Sequence, residues 1–415
     1  MLSLPEALDY IWKMLKKTLI GLALALSGAG VGIAAEAPKG SLVIIGGGLR
    51  PENAAVWDKI VALAGGQGAR IAVFPTAAEN PAREGANAVT FLNRRGAQAF
   101  LVPVAPRLAG SDMRQAADDP AIAEAVRTAG GAFFTGGDQA RITLALRRPD
   151  GANSAVLDAL WSMYRGGGVI AGTSAGAAIM SSTMFYDPPL DVVPILKHGV
   201  VEGKDIAPGL GFIGNDVFID QHLLVRGRFA RMLPAMIKKG YKLGLGIDEN
   251  TAAVVGPDRE VTVVGYTGAL VLDLTDASID QKQPVFNVAN ARISYVDNGD
   301  RFNLVSRTYI PGPGKEPVDR NMREYRNALF YTDILGNTSV VNLLEKLVDS
   351  NLERATGLAF EGPASRAPER GFEFTFSRAP DSREFVTNRE DAWSIYRIRM
   401  DVRPVKMQQP LYTVE

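Results

Sequence analysis

The sequence predicts an α/β protein: a mainly parallel sheet with helices on both faces, followed by a smaller α+β region. Between Gly40 and about Leu274, short β-rich runs alternate with helix-compatible stretches, the spacing expected of βα units. Several of these runs end in Gly, Asp, Ser or Gln rather than in plain turn residues. They end at the sheet edge where open α/β proteins bind ligands. Beyond Leu274 the texture changes, which sets off the C-terminal part.

At the N-terminus, from Met14, the chain reads "MLKKTLIGLALALSGAGVGIAAEA". Two lysines, an apolar stretch from Leu19 and the small residues Ala34 and Ala35 are the three parts of a secretory signal. Residues 1–35 are therefore expected to direct export and leave a secreted or periplasmic protein. The polar segment ahead of Met14 means either that Met14 is the start or that the signal has a long first region. A single membrane anchor is the competing reading, but Gly and Ser interrupt the apolar run early and it is short for a span.

The strands follow in order: "SLVIIGGG", "RIAVFPTA", "AFLVPV", "GAFFTGGD", "GVIAGTSA" and "DVFIDQH". Stretches such as "ENAAVWDKIVALAG" and "SAVLDALWSMYRGG" supply helices between them. "TAAVVG", "EVTVVG" and "ALVLDL" read as antiparallel strands closing the first domain, and "ARISYVDNGDRFNL" continues them. "IPGPGKEP", at 310–317, has the composition of a linker or exposed loop. Thr338 and Ser339 are placed to cap a helix with Val340, Val341, Leu344, Leu347 and Val348 on one side. "FEFTFS" and "SIYRIRMDVRPV" alternate as half-buried strands do. Residues 310–415 thus form an extension, and nothing in it looks catalytic.

Composition removes several chemistries. The formal net charge of zero argues against general nucleic-acid binding. Without cysteine there is no thiol nucleophile, disulfide or zinc–thiolate site. With two histidines, His198 and His222, a metal centre would need a carboxylate cluster that the sequence does not display, so no metal or cofactor is expected.

What remains is serine chemistry. In "GGVIAGTSAGAAIM" a strand hands over to a helix at Ser174, flanked by Gly172 and Gly176. That is either a close-packed corner or a turn that lifts a nucleophilic hydroxyl to the sheet edge. A serine needs a base to take its proton and a third group to orient that base. His198 sits in a mixed polar stretch and reads as exposed, whereas His222 ends a predicted strand. Asp248 and Glu249 end another, and the pattern alone does not choose between them. Ala175, following the serine, offers one oxyanion donor, and Gly136 and Gly137 in "FFTGGDQ" offer others. Asp138 and Gln139 follow, ready to meet a ligand. Arg226, Arg228 and Arg231 begin four residues after His222 and imply a carboxylate-rich substrate. Asp220 is expected to meet a cationic group of the same substrate.

Together "GTSAGA", "TGGDQ", "DQHLLVRGRFARM" and "GIDENTA" resemble the cyanophycinases, serine hydrolases of the peptidase S51 group related to aspartyl dipeptidases. The resemblance covers roughly 40–306. It implies a flavodoxin-like fold close to class I glutamine amidotransferases and a Ser174–His222–Glu249 triad, which selects the second acid. It also implies a substrate pocket with Gln139, Asp220, Gln221, Arg226, Arg228 and Arg231. The implied substrate is cyanophycin, a poly-aspartate backbone with arginine on each β-carboxylate, and the implied product is β-Asp-Arg. The signal resembles the exported bacterial branch, and a homodimer without a membrane span in its mature form is the expected assembly. An α/β-hydrolase esterase is disfavoured because its histidine follows the acid near the domain end. A glutamine amidotransferase would need the missing cysteine. The alternatives left are an exported aspartyl dipeptidase and an inactive polymer-binding protein.

Overall fold

The computed structural model describes residues 38–319, 327–387 and 392–415. The expected signal segment and the choice of start codon lie outside them. No helix among the described residues is long and apolar enough to cross a membrane.

The chain begins with β1 (Ser41–Ile45), α1 (Ala54–Leu63), β2 (Arg70–Phe74), α2 (Pro81–Arg94) and β3 (Gln98–Leu101). Next come α3 (Met113–Asp118), α4 (Pro120–Arg127), β4 (Gly131–Phe134), α5 (Gln139–Leu146), α6 (Ala155–Arg165) and β5 (Val169–Thr173). These five strands run parallel in the order β1-β5-β4-β2-β3. Leu42 and Ile44 enter one apolar core with Val156, Leu157 and Leu160 of α6, while Val43 and Ile45 enter another with Val56, Trp57 and Ile60 of α1. Because alternate side chains of a strand leave on opposite faces, both faces are covered by helices, as the near-continuous apolar runs require. This is the expected flavodoxin-like α/β class.

After β5 come α7 (Ala175–Ala178), β6 (Thr183–Phe185), α8 (Val193–His198), β7 (Ile206–Pro208), β8 (Val217–Gln221), α9 (Phe229–Lys239) and β9 (Leu243–Ile247). The expectation of one sheet fails here. Strand β8 does not join the first sheet; it pairs in parallel with β9 and opens a second. The antiparallel strands divide between the two sheets. Strands β10 (Thr251–Val255), β11 (Glu260–Gly265), β14 (Arg301–Asn303) and β15 (Tyr309–Ile310) extend the first sheet beyond β1. Strands β12 (Ala269–Asp273) and β13 (Val288–Val296) extend the second beyond β9.

The remaining elements are β16 (Glu316–Pro317), β17 (Phe330–Tyr331), α10 (Ser339–Val348), β18 (Arg354–Phe360), β19 (Arg370–Ser377), β20 (Arg383–Val386) and β21 (Trp393–Lys406). They complete the second sheet, in which β21 lies between β13 and β19. Val340, Val341, Leu344 and Leu347 of α10 share one core with Phe229, Met232 and Leu233 of α9 and with Phe218 of β8. The α10 helix begins where expected, but Thr338 supplies no side-chain cap: its hydroxyl donates to the Asn337 carbonyl instead. The "IPGPGKEP" stretch is more than a loop. Its Lys315 side chain is 3% exposed and reaches Asp297 (2.8 Å), Asp300 (3.0 Å) and Ser394 (2.8 Å), so it pins β21 to the turn after β13.

Candidate active site

The ends of β1, β5, β8 and β9 meet through main-chain hydrogen bonds. Three successive carbonyls leaving β1 each accept an amide: Ile45 from Ser174 (3.0 Å), Gly46 from His222 (2.7 Å) and Gly47 from Asn250 (2.7 Å). Each donor is a non-glycine residue at positive φ, 54°, 52° and 54° respectively. Such backbone costs about 1–3 kcal/mol per residue and persists only where the surroundings hold it.

Ser174 stands between β5 and α7 in a turn that no other flanking residues would allow. A Cβ on Gly172 would lie 2.3 Å from the Gly176 carbonyl oxygen. The turn carries Ser174 Oγ to 2.8 Å from His222 Nε2. His222 Nδ1 is 2.5 Å from Glu249 Oε1. Gly47 lies flat against the ring, since a Cβ there would come within 2.2 Å of His222 Cε1. The two acids left open by the strand pattern now separate. Asp248 accepts the amides of Leu224 (3.0 Å) and Val225 (3.2 Å), fixing the turn after His222. Burial raises the Asp248 pKa; Glu249 alone faces the imidazole.

The His222 pKa is lowered, chiefly by burial and further by Arg226 and Arg228, against the Glu249 hydrogen bond. The neutral ring is the form able to take a proton from a hydroxyl. A hydroxyl bonded to an imidazole that is itself oriented by a carboxylate is an arrangement suited to acyl transfer. Gly136 lies beside the serine, its Cβ position 3.3 Å from Ser174 Cβ. Among the described residues, neither the Gly137 nor the Ala175 amide meets a protein acceptor. His198, at the end of α8, is exposed and away from this cavity.

The cavity at Ser174 holds about 350 Å³. Its walls include Gly137, Gln139, Gln221, His222 and the three arginines, together with the loop from Tyr186 to Leu190. Gln139 Nε2 donates to the carbonyls of Phe185 (3.1 Å) and Tyr186 (2.8 Å) and so braces that loop. The arginines do not act alike. Arg231 binds both oxygens of Asp220 at 2.7 Å and lies 4.1 Å from the centre of the Phe185 ring. Arg228 donates to the carbonyl and side-chain oxygens of Gln221, each at 3.0 Å, while its buried Nε has no partner. Burial and the neighbouring Arg231 lower its pKa to about 10. Arg226 is exposed.

Two expectations need correction. Asp220 does not face the cavity; it is 2% exposed and neutralises Arg231, because a buried guanidinium needs a partner nearer than any substrate. Asp138 caps α5 through the Ala140 amide (2.9 Å) and does not line the cavity. The sequence pattern does not single out the Gly46–Gly48 turn, Asn250 or the Tyr186–Leu190 loop, which the structure adds to the site. "IIGGG" was the available signal for the first, whereas the others depend on contacts distant in sequence.

The chain is similar to several known proteins. Residues 42–263 match the family model described as peptidase family S51. The chain is 29% identical over 284 residues to the cyanophycinase of Trichormus variabilis, covering 66% of this chain and 89% of that protein. It is 30% identical over 285 residues to the cyanophycinase of Geminocystis herdmanii, covering 66% and 97% respectively. A solved peptidase from an acI-B1 Actinobacterium is 21% identical, with a TM-score of 0.45 over 64% of this chain and 98% of that one. With more than half of its length matched by the family model, and with every residue of the Ser174–His222–Glu249 hydrogen-bonded chain inside the match, the chain belongs to peptidase family S51.

Proposed function

We propose that this protein is an exported serine hydrolase that cuts the poly-aspartate backbone of cyanophycin and releases β-Asp-Arg dipeptides. The continuous hydrogen bonding from Ser174 Oγ through His222 to Glu249, at the wall of an arginine-bearing cavity, carries the reading. The likeness to proteins named cyanophycinase supports the substrate. Export rests on the sequence of residues 1–35.

In the reaction, His222 Nε2 takes the Ser174 proton as Oγ attacks a backbone carbonyl carbon. Glu249 orients the ring and stabilises the imidazolium. The amides of Gly137 and Ala175 hold the tetrahedral oxyanion. The carbon–nitrogen bond then breaks, His222 protonates the leaving amine, and an acyl-enzyme remains on Ser174. Water, deprotonated by His222, attacks the ester, and collapse returns the proton to Oγ. With Arg231 committed to Asp220, the substrate carboxylates fall to Arg226 and Arg228, which donate to them as charge-assisted partners.

The test is mass spectrometry of the soluble products after insoluble cyanophycin is incubated with the mature protein or with Ser174→Ala. Release of β-Asp-Arg by the wild type alone is the expected result. No release by either protein would overturn the polymer reading and direct assays to small aspartyl peptides.

A further inference from the structure

Next to the cavity at Ser174 lies a larger one of about 490 Å³. The two share Leu190 and Arg226, so they are neighbouring compartments of one cleft. Leu190, 92% exposed, stands between them. The second compartment is built from three distant stretches of chain besides Arg226. Asp191–Val193 lie inside the family match, whereas Asp333, Leu335, Phe360, Glu361 and Ser365 lie beyond it.

The outer wall is anchored. Lys197 of α8, its side chain 2% exposed, pairs with Glu361 and donates to the Ala367 carbonyl at 2.7 Å. A buried ammonium held in this way fixes the 361–367 turn against α8, because moving the turn would strand the charge. On the other side, Leu335 lies against Gly227, the residue after Arg226.

Two carboxylates are left open here. Glu361 is spent on Lys197, but among the described residues Asp191 and Asp333 have no cationic partner within ion-pair distance, and both are exposed. Asp333 Oδ1 accepts the Leu335 amide at 3.1 Å. The Ser365 hydroxyl, also in the lining, is buried without a hydrogen-bond partner. With Arg226 at the junction, the compartment offers a cation at its entrance and carboxylates within.

We propose that this compartment is a second substrate subsite, supplied by the C-terminal segment, for the side chain of a residue next to the one held at Ser174. It rests on the polymer reading above. Each arginine unit of that polymer presents a free carboxylate and a guanidinium. Arg226 takes the first, and Asp191 and Asp333 take the second. Only a substrate longer than the part bound at Ser174 reaches past Leu190, so the subsite makes the enzyme sensitive to chain length.

The experiment compares kcat/KM on two-repeat and four-repeat β-Asp-Arg oligomers. The wild type should favour the four-repeat substrate. Asp191→Asn combined with Asp333→Asn should reduce that preference about tenfold, mainly through KM, as expected for losing charge-assisted contacts. Asp58→Asn, an exposed charge on α1, should keep the wild-type preference. Replacing the outer arginines of the four-repeat oligomer by neutral citrulline should cause the same loss with the unaltered protein, independently of any effect of substitution on folding. An undiminished preference in the double variant, or on the citrulline oligomer, overturns the subsite. Cleavage of both lengths without preference refutes the subsite and leaves the polymer reading intact. A wild type that cuts neither oligomer refutes the polymer reading, and the subsite with it.

Discussion

Glu249 is where a single side chain tunes the chemistry. Its hydrogen bond raises the His222 pKa, while burial and two arginines lower it, and the lowering prevails. The rate on the acid side should therefore rise as His222 loses its proton, at a pH below the ordinary histidine range. Glu249→Gln removes a raising influence, so that limb should move to still lower pH, with kcat falling by roughly 10²–10⁴-fold as the ring loses its orienting partner. A pH–rate profile of kcat/KM for both proteins checks this, and an unmoved limb would detach Glu249 from His222. The strand pattern could not separate Asp248 from Glu249, since both are carboxylates at one strand end. Their difference lies in which turn each faces, and that turn belongs to another strand. Asp220 was misassigned for a related reason: sequence shows a charge near arginines but not that burial has already paired it.

At the scale of elements, the strand ends were legible because they break the ordinary turn vocabulary. "GTSAG", "DQH" and "DEN" all terminate apolar runs, and all three reach one edge. The turn after β1 does not stand out in the sequence, because three glycines look like a plain connection. Its role is spatial: Gly47, at φ 118°, leaves room for the imidazole. Gly47→Ala should leave the fold in place but displace His222, lowering kcat/KM by at least ~10²-fold, given how steeply rates depend on positioning. Activity assays beside circular dichroism would check it; wild-type rates in a folded variant would contradict the contact. Strand β8 misled for another reason. Parallel strands look alike in sequence whichever sheet they join, and only pairing with β9 decides.

For the whole molecule, the share of the C-terminal segment in the fold was the least legible part. Alternation in β19 and β21 announced strands, but a strand does not name its neighbour. These strands cover the same core as α9, whose preceding turn carries His222 and Arg226. A chain ending at residue 306 should therefore expose the edge of β13 and the apolar face of α9. It should be recovered in a smaller soluble fraction than the chain through residue 415; fractionation after expression makes the comparison. A soluble, active fragment would mean that the segment is a separable extension.

The three carbonyls leaving β1 carry one more implication. Ser174, His222 and Asn250 are spaced by consecutive peptide units of a single strand end and not by the lengths of chain between them. The turn leaving β1 acts as a ruler with one mark per residue. Insertions between 174 and 222, or between 222 and 250, can lengthen the intervening loops while the marks stay put. One residue added between Ile45 and Gly46 would move two of the three partners by a full division. The distances along the chain are thus free to drift, and the constraint on them is concentrated in the few residues that follow Val43.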